Sequence, residues 1–410
     1  MNAILNTDVA IIGAGPSGAI AAALLIKQGL QVTVLERQHF PRFSIGESLL
    51  PHCMSFIAEA NMLDAVNAMD FQFKNGAAFT RDNQYNDFNF SEKFSAGPGT
   101  TYQVERAKFD KVLADEAAKQ GADIRYGHSV NNVEFDNHGA RLSVTTDQND
   151  AYTLESKFLL DASGFGRVLP RLLDLEAPSN FPARMSVFTH IQDNINSAQH
   201  DRDKILIIVH PQYKDVWFWL IPFTGGRCSL GVVAEPHRFQ GREDNLEQLL
   251  KDFVNQTNDL GPLLANAVFD TQVQTLQGYS SNVKTLWGSH YALLGNAGEF
   301  LDPVFSSGVT IAMKSASLAA PLVAKQLAGA DVDWQKEYAQ PLQQGVNTFR
   351  SYVEAWYDGR FQDIIFSKQQ NPDIGKMISS ILAGYAWDEQ NPFVKESQRR
   401  INTLAELCRA

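Results

Sequence analysis

The stretch DVAIIGAGPSGAIAAALLIKQGLQVTVLER, residues 8–37, decides the fold. It reads strand, turn, helix, strand. Asp8 to Ile12 is a near-continuous apolar run, as a buried parallel strand requires. Gly13, Gly15 and Gly18 form G-x-G-x-x-G. The first permits a tight turn, the second lets a pyrophosphate approach the backbone, and the third lets helix pack on strand. Ser17 stands in the first turn of the helix, where free N–H groups and a partial positive charge meet phosphate. Gln31 to Leu35 is the second strand. Glu36 follows it, about 20 residues beyond the glycines, where a ribose hydroxyl needs an acceptor. A bare G-x-G-x-x-G is weak evidence. With strand, helix, strand and acid in register, it specifies a dinucleotide, FAD or NAD.

The rest of the chain excludes several classes. At 410 residues it is long enough for two or three lobes around a large core. A net charge of −11 leaves no basic field for nucleic acid. Cys53, Cys228 and Cys408 lie far apart with no C-x-x-C, so neither a metal site nor a disulfide framework is expected, and the usage fits a reducing, cytoplasmic setting. The N-terminus lacks a signal-type segment, and no membrane span is expected. Only one dinucleotide fingerprint occurs, so no dedicated NAD(P)H domain is expected.

Three further segments discriminate between FAD and NAD. ERQHFPRFSIGESLLP (residues 36–51), DASGFGR (161–167) and LLGNAGEFLDPVFSSGV (293–309) resemble, in that order, segments of FAD proteins with the para-hydroxybenzoate-hydroxylase-like fold. That superfamily includes flavin monooxygenases, geranylgeranyl reductases and flavin-dependent halogenases. The resemblance implies FAD contacts from Arg37, Arg42, Ser48, Asp161, Gly164, Asn296, Asp302, Pro303, Gly308 and Val309. Asn296 stands where the family usually has aspartate; its amide can still bond the ribityl hydroxyls. QVERAKFDKVLADEAAKQGADI (103–124) resembles the family's helix before a strand, with Arg106 near the cofactor.

Within the superfamily, WFWLIP (217–222) is similar to the W-x-W-x-I-P signature of flavin-dependent halogenases. The geranylgeranyl reductases carry tyrosine in the first aromatic place and phenylalanine before the proline. FQFKNGAAF (71–79) resembles the segment that supplies the halogenases' essential lysine, here Lys74. In DPVFSSGV (302–309), Ser307 and Gly308 match the hydroxyl–glycine pair beside the halide. Phe305 and Ser306 stand where tryptophan halogenases have a glutamate, which points away from free tryptophan and toward the phenol and pyrrole branch.

The resemblance implies a mechanism. FADH2 from a separate flavin reductase reacts with O2 to give a C4a-hydroperoxide, chloride or bromide attacks it, and hypohalous acid passes to Lys74. An electron-rich phenol or pyrrole, free or tethered to an acyl or peptidyl carrier protein, is then halogenated. Trp217 and Trp219 wall the ring off from the flavin. The alternative is an FAD monooxygenase or a geranylgeranyl-reductase-like ene reductase of the same fold.

The expected architecture is mixed α/β. A Rossmann-like FAD-binding domain with a parallel sheet is split over 1–75, 100–180 and 275–330. A substrate-side antiparallel sheet takes 76–99 and 181–274. A helical region, 331–410, closes the chain, with a kink near Pro341. The aromatic-rich YVEAWYDGRFQDIIF (352–366) reads mainly as helix packing. Oligomeric state is open between monomer and homodimer.

Overall fold

The computed structural model describes residues 4–409 except 180, 197, 199, 279, 280, 369 and 370. Its first layer is a sheet built on Ile4–Ile12. That strand pairs in parallel with Val32–Glu36 on one side and Ala151–Asp161 on the other. Asp123–Tyr126 and Tyr291–Leu293 extend the parallel run at the two ends. Strands buried on both faces need continuous apolar sequence, and Val9, Ala10 and Ile11 have no exposed surface. The fingerprint helix, Pro16–Lys27, packs on Arg106–Lys119 and on the long helix Ser307–Leu327. The latter is long and apolar enough to cross a membrane by length and composition, but most of it is buried inside the fold, as a core helix is.

The second layer is a seven-stranded sheet. Its order is Gln274–Gln277, Met185–Gln192, Arg227–Ala234, Trp217–Phe223, Lys204–Val209, Gly76–Arg81 and Gln84–Asn89. It is antiparallel with one correction to expectation: Lys204–Val209 runs parallel to Gly76–Arg81. The two strands are distant in sequence, so a crossover connection can deliver them side by side in the same direction. The sheet also extends to Gln277, past the expected boundary at 274.

Trp217–Phe223 is buried at all seven positions. Alternation divides it between two cores. Trp217, Trp219 and Ile221 join the central core, while Phe218 and Leu220 face a smaller core under the amphipathic helix Leu246–Asn255. Trp219 lies across the neighbouring strand at Gly231, where an added Cβ would come within 2.2 Å of the indole ring.

The C-terminal region is helical. A π-helical turn, Gln335–Ala339, runs into Gln340–Tyr357, so Pro341 sits at the start of the regular helix rather than breaking it. Pro372–Leu382 and Ser397–Arg409 complete the region.

Candidate active site

A cleft of about 430 Å³ opens between the two sheets. Its floor is the fingerprint. Gly13 turns at φ +96°, and a Cβ there would meet Ala162 O at 2.6 Å. Gly15 lines the cleft, and a Cβ on it would meet nothing nearer than 3.5 Å, so the space over it is open. Gly18 does not line the cleft. A Cβ there would be 1.9 Å from Gly13 O, so its role is helix–turn packing. The helix has no side-chain cap at Gly15, which leaves its first N–H groups for a ligand. Glu36 lines the same end. Its Oε2 accepts from Ala14 N at 3.0 Å and its Oε1 from Gln38 N at 2.9 Å.

The 37–48 segment covers this floor, and Arg37, Arg42 and Ser48 line the cleft, as do Ser17 and Arg106. Arg106 forks onto Asp110, with Nε–Oδ1 at 2.7 Å and Nη2–Oδ2 at 2.9 Å, and donates to Ile45 O. Arg42 reaches the same carboxylate at 3.2 Å. Asp110 has no exposed surface. Two guanidiniums around one buried carboxylate leave the wall net positive, which suits a pyrophosphate. Glu47, also on the cleft, pairs with His190 of the second sheet at 2.6 Å. Burial opposes charge on His190, but the hydrogen bond and charge of Glu47 outweigh it and raise the imidazole pKa.

Gly164, Asn296, Pro303, Gly308 and Val309 line the opposite side. Two carboxylates expected there do not. Asp161 is fully buried; Oδ1 accepts from Ser163 N at 2.9 Å and Oδ2 from Leu169 N at 2.7 Å, so it shapes the turn. Asp302 accepts from Val304 N at 3.0 Å and from the Tyr357 hydroxyl at 2.8 Å. Burial pushes its carboxyl up to about 6, against those two donors and Arg184. Ser307, expected beside the halide, does not line the cleft with its side chain. It opens the long helix with its side chain buried, outside the cleft lining. Ser306, at φ +55°, takes the lining place because the left-handed turn rotates the chain between 306 and 307.

Trp217, Trp219 and Ile221 form the facing wall. Both indoles are pinned by hydrogen bonds. Trp219 Nε1 donates to Ser229 Oγ at 3.0 Å, and Trp217 Nε1 donates to the Tyr357 hydroxyl at 2.9 Å. The chain Trp217–Tyr357–Asp302 thus ties the tryptophan wall to the 302–309 turn. Arg184 caps the Tyr357 ring at 3.8 Å.

Lys74 is outside this cleft. It has no exposed surface and lines a second cavity of about 10 Å³ with Phe79, Phe90 and Phe305. Ile205 and Ser306 line both spaces and form the partition. Nζ donates to Ser48 Oγ at 2.8 Å and to Leu49 O at 2.7 Å. Ser48, on the cleft lining, is thus bonded directly to the lysine of the second cavity. Burial pushes the Lys74 amine down from 10.5 to about 7, with a small opposing effect from Cys53.

Asp110, His190, Tyr357 and Ser306 were not singled out from sequence as site residues. A buried i,i+4 pair from Arg106 to Asp110 was the one legible signal among them. The other contacts join residues 55–143 positions apart or depend on one backbone angle.

The residues present fit FAD: open space over Gly15, unpaired helix N–H groups, a positive wall and an acidic ribose end. Comparison with known proteins agrees. The family model described as FAD binding domain matches residues 6–339. The 1H-pyrrole-2-carbonyl-peptidyl-carrier-protein chlorinase of Pseudomonas fluorescens is 26% identical over 423 residues, covering 97% of this chain and 94% of the relative. A crystal structure of a flavoprotein/dehydrogenase from Cytophaga hutchinsonii superposes with a TM-score of 0.95 at 42% identity, covering 98% of this chain and 99% of the other. The flavin-dependent brominase Bmp2 superposes with a TM-score of 0.85 at 25% identity, covering 98% and 99%.

Proposed function

The chain belongs to the FAD-binding-domain family, and from that membership we propose that it is a flavin-dependent halogenase of electron-rich aromatics, phenols or pyrroles. The observation that carries this is Lys74: a fully buried amine, titrating near 7, one partition away from the flavin cleft. Similarity over nearly the whole chain to a carrier-protein-dependent pyrrole chlorinase supports the substrate class and a carrier-tethered presentation.

Gly15, Ser17, Glu36, Arg37, Arg42 and Arg106 would hold the dinucleotide, with Ser48, Gly164, Asn296, Pro303 and Val309 on its flavin side. Bound as FADH2, delivered by a separate reductase, it supplies the two electrons that let O2 and a halide ion form hypohalous acid and water. The chain's own residues govern where the halide sits and where the oxidant goes. Backbone N–H groups near Ser306 and Gly308, at the start of a 21-residue helix, bind the halide without a side-chain charge. Trp217 and Trp219 fill the space where an aromatic ring would reach the flavin, and so exclude hydroxylation. The partition at Ile205 and Ser306 passes only a small oxidant. Lys74 holds two of its amine positions on Ser48 and Leu49, which leaves the third for the hypohalous acid. With its pKa near 7, a good fraction of the amine is neutral at neutral pH and nucleophilic toward halogen. The oxidant is thereby delivered to one carbon of the ring.

The test supplies a flavin reductase, NADH, O2 and bromide with a panel of phenols and pyrroles, free and carrier-bound. Halogen isotope patterns in the products of the wild type, absent with Lys74→Ala, are expected. Hydroxylated or saturated products would sink the reading. Saturation would favour the reductase alternative.

A further inference from the structure

The cavity beside Lys74 holds about 10 Å³, room for one water at most. No aromatic substrate fits there. The neighbours of the cavity indicate where a ring would go. Phe305 lines it and is 4% exposed. Three other rings meet the Phe305 ring nearly at right angles: Tyr352 at 6.4 Å and 90°, Trp356 at 5.9 Å and 84°, and Phe361 at 5.4 Å and 87°. Phe79, on the cavity wall, packs on Trp356 at 5.9 Å. Edge-to-face contacts on this many sides are what a bound aromatic ring makes. The box has the size of one ring, and Phe305 occupies it.

Two walls of the box carry polar atoms with no partner, Tyr352 Oη and Trp356 Nε1. Both side chains have no exposed surface. A buried donor without an acceptor is costly, and native interiors carry few. Here two occur four residues apart on the same helix, Gln340–Tyr357, and both rings pack on Phe305. The neighbouring Tyr357, by contrast, is fully engaged with Trp217 and Asp302. Burial raises the Tyr352 pKa, so its hydroxyl stays a donor at all working pH. An indole N–H only donates. The pair therefore suits an acceptor.

We propose that Phe305 is a placeholder for the substrate ring, and that Tyr352 Oη and Trp356 Nε1 hold a hydrogen-bond acceptor on that ring, a phenolic oxygen or a ring-attached carbonyl, beside Lys74. This rests on the halogenase reading and narrows it: the substrate carries an oxygen on the ring, and Tyr352 and Trp356 select for it. Phe305 lies in the 302–309 turn with Ser306 and Gly308, so substrate entry displaces a residue next to the flavin-side lining.

The test is binding without turnover. FAD-loaded Phe305→Ala is titrated with phenol and with toluene, which has the same shape without the acceptor. Phenol is expected to bind about thirtyfold tighter, the worth of two hydrogen bonds. Adding Tyr352→Phe and Trp356→Phe should erase that preference. Equal affinity for the two ligands, or no binding of either, overturns the proposal. Should Phe305→Ala not fold, the wild type with 15N-labelled tryptophan replaces it. A phenol-dependent shift of the Trp356 indole resonance, lost in Trp356→Phe, supports the proposal, and an unmoved resonance overturns it. A chain that binds phenol here but makes no halophenol refutes the halogenase reading alone. One that halogenates without the preference refutes this proposal alone.

Discussion

Replacing Lys74 by methionine separates what the amine costs the fold from what it does in chemistry. The residue has no exposed surface, and burial moves its titration from 10.5 to about 7. At about 1.36 kcal/mol per pH unit, that gap amounts to about 5 kcal/mol of lost stability. The sign comes from proton counting. Below pH 7 both the folded and unfolded chains carry the proton, and the full cost is present. Between about 7 and 10.5 the unfolded chain binds a proton that the folded chain does not, so stability rises with pH. Above 10.5 the cost has gone. Methionine removes the cost but leaves Ser48 Oγ and Leu49 O without their donor, at about 1–2 kcal/mol each. At pH 7 the variant should be more stable by about 1–3 kcal/mol, the remainder of those terms. At pH 10 the wild type should lead. The swing between the two is about 4 kcal/mol, three pH units at the same rate. Over 410 residues, unfolding entropy makes about 1 °C per kcal/mol. Calorimetry of both proteins from pH 6.5 to 10 should therefore show the Tm difference reversing sign, with a total change of about 4–5 °C. A difference that stays flat with pH would refute the argument. Halogenation by Lys74→Met should be absent throughout.

Other outcomes are as specific. Gly15→Ala should fold normally, since its Cβ meets nothing nearer than 3.5 Å, yet lose flavin absorbance, because the methyl group stands where the pyrophosphate approaches. Gly18→Ala should not yield folded protein, since its Cβ would sit 1.9 Å from a backbone oxygen; recovery of both variants in soluble, flavin-bound form would contradict this division of roles. Tyr357→Phe removes the donor that holds the Asp302 carboxyl down, so that group should titrate above its present value of about 6. The acid limb of the halogenation pH profile should move to higher pH, and an unmoved limb would show that the contact is only packing. His190 has a raised pKa in the fold, so its pairing with Glu47 stabilises the protein fully below about 6.5 and fades as pH rises through the folded value. Melting curves of His190→Gln should lack the part of the wild-type decline that falls in that window.

The fold was legible because its deciding pattern is local. Gly13, Gly15, Gly18 and Glu36 act within one strand–helix–strand unit, and the three glycines divide the work in the structure as their spacing implies. Trp217 and Trp219 were legible through alternation, which sends them to one face. Lys74 stood out mainly through the resemblance of FQFKNGAAF to the halogenases' lysine segment, since a lone lysine by itself reads as a solvated surface group. Other contacts needed the third dimension. Asp161 and Asp302 stand in turns where ligand-binding carboxylates often stand, and nothing in the chain tells that their oxygens are used up on nearby N–H groups and, for Asp302, on the distant Tyr357 hydroxyl. Choosing Ser306 over Ser307 depends on one left-handed residue. Tyr357 reaches Trp217 across 140 positions, and helical aromatic spacing reads as plain packing until the partner is known. The parallel pairing of 76–80 with 204–208 leaves no periodicity of its own.

The overlap of Trp219 with Gly231 carries a consequence for variation among related chains. An indole that lies within 2.2 Å of where a Cβ would stand permits only glycine opposite. The two positions should therefore co-vary: chains that keep tryptophan at 219 keep glycine at 231, and a side chain can return at 231 only after the indole has gone. The reverse order puts a methyl group into an aromatic ring, and such intermediates should be missing from any alignment.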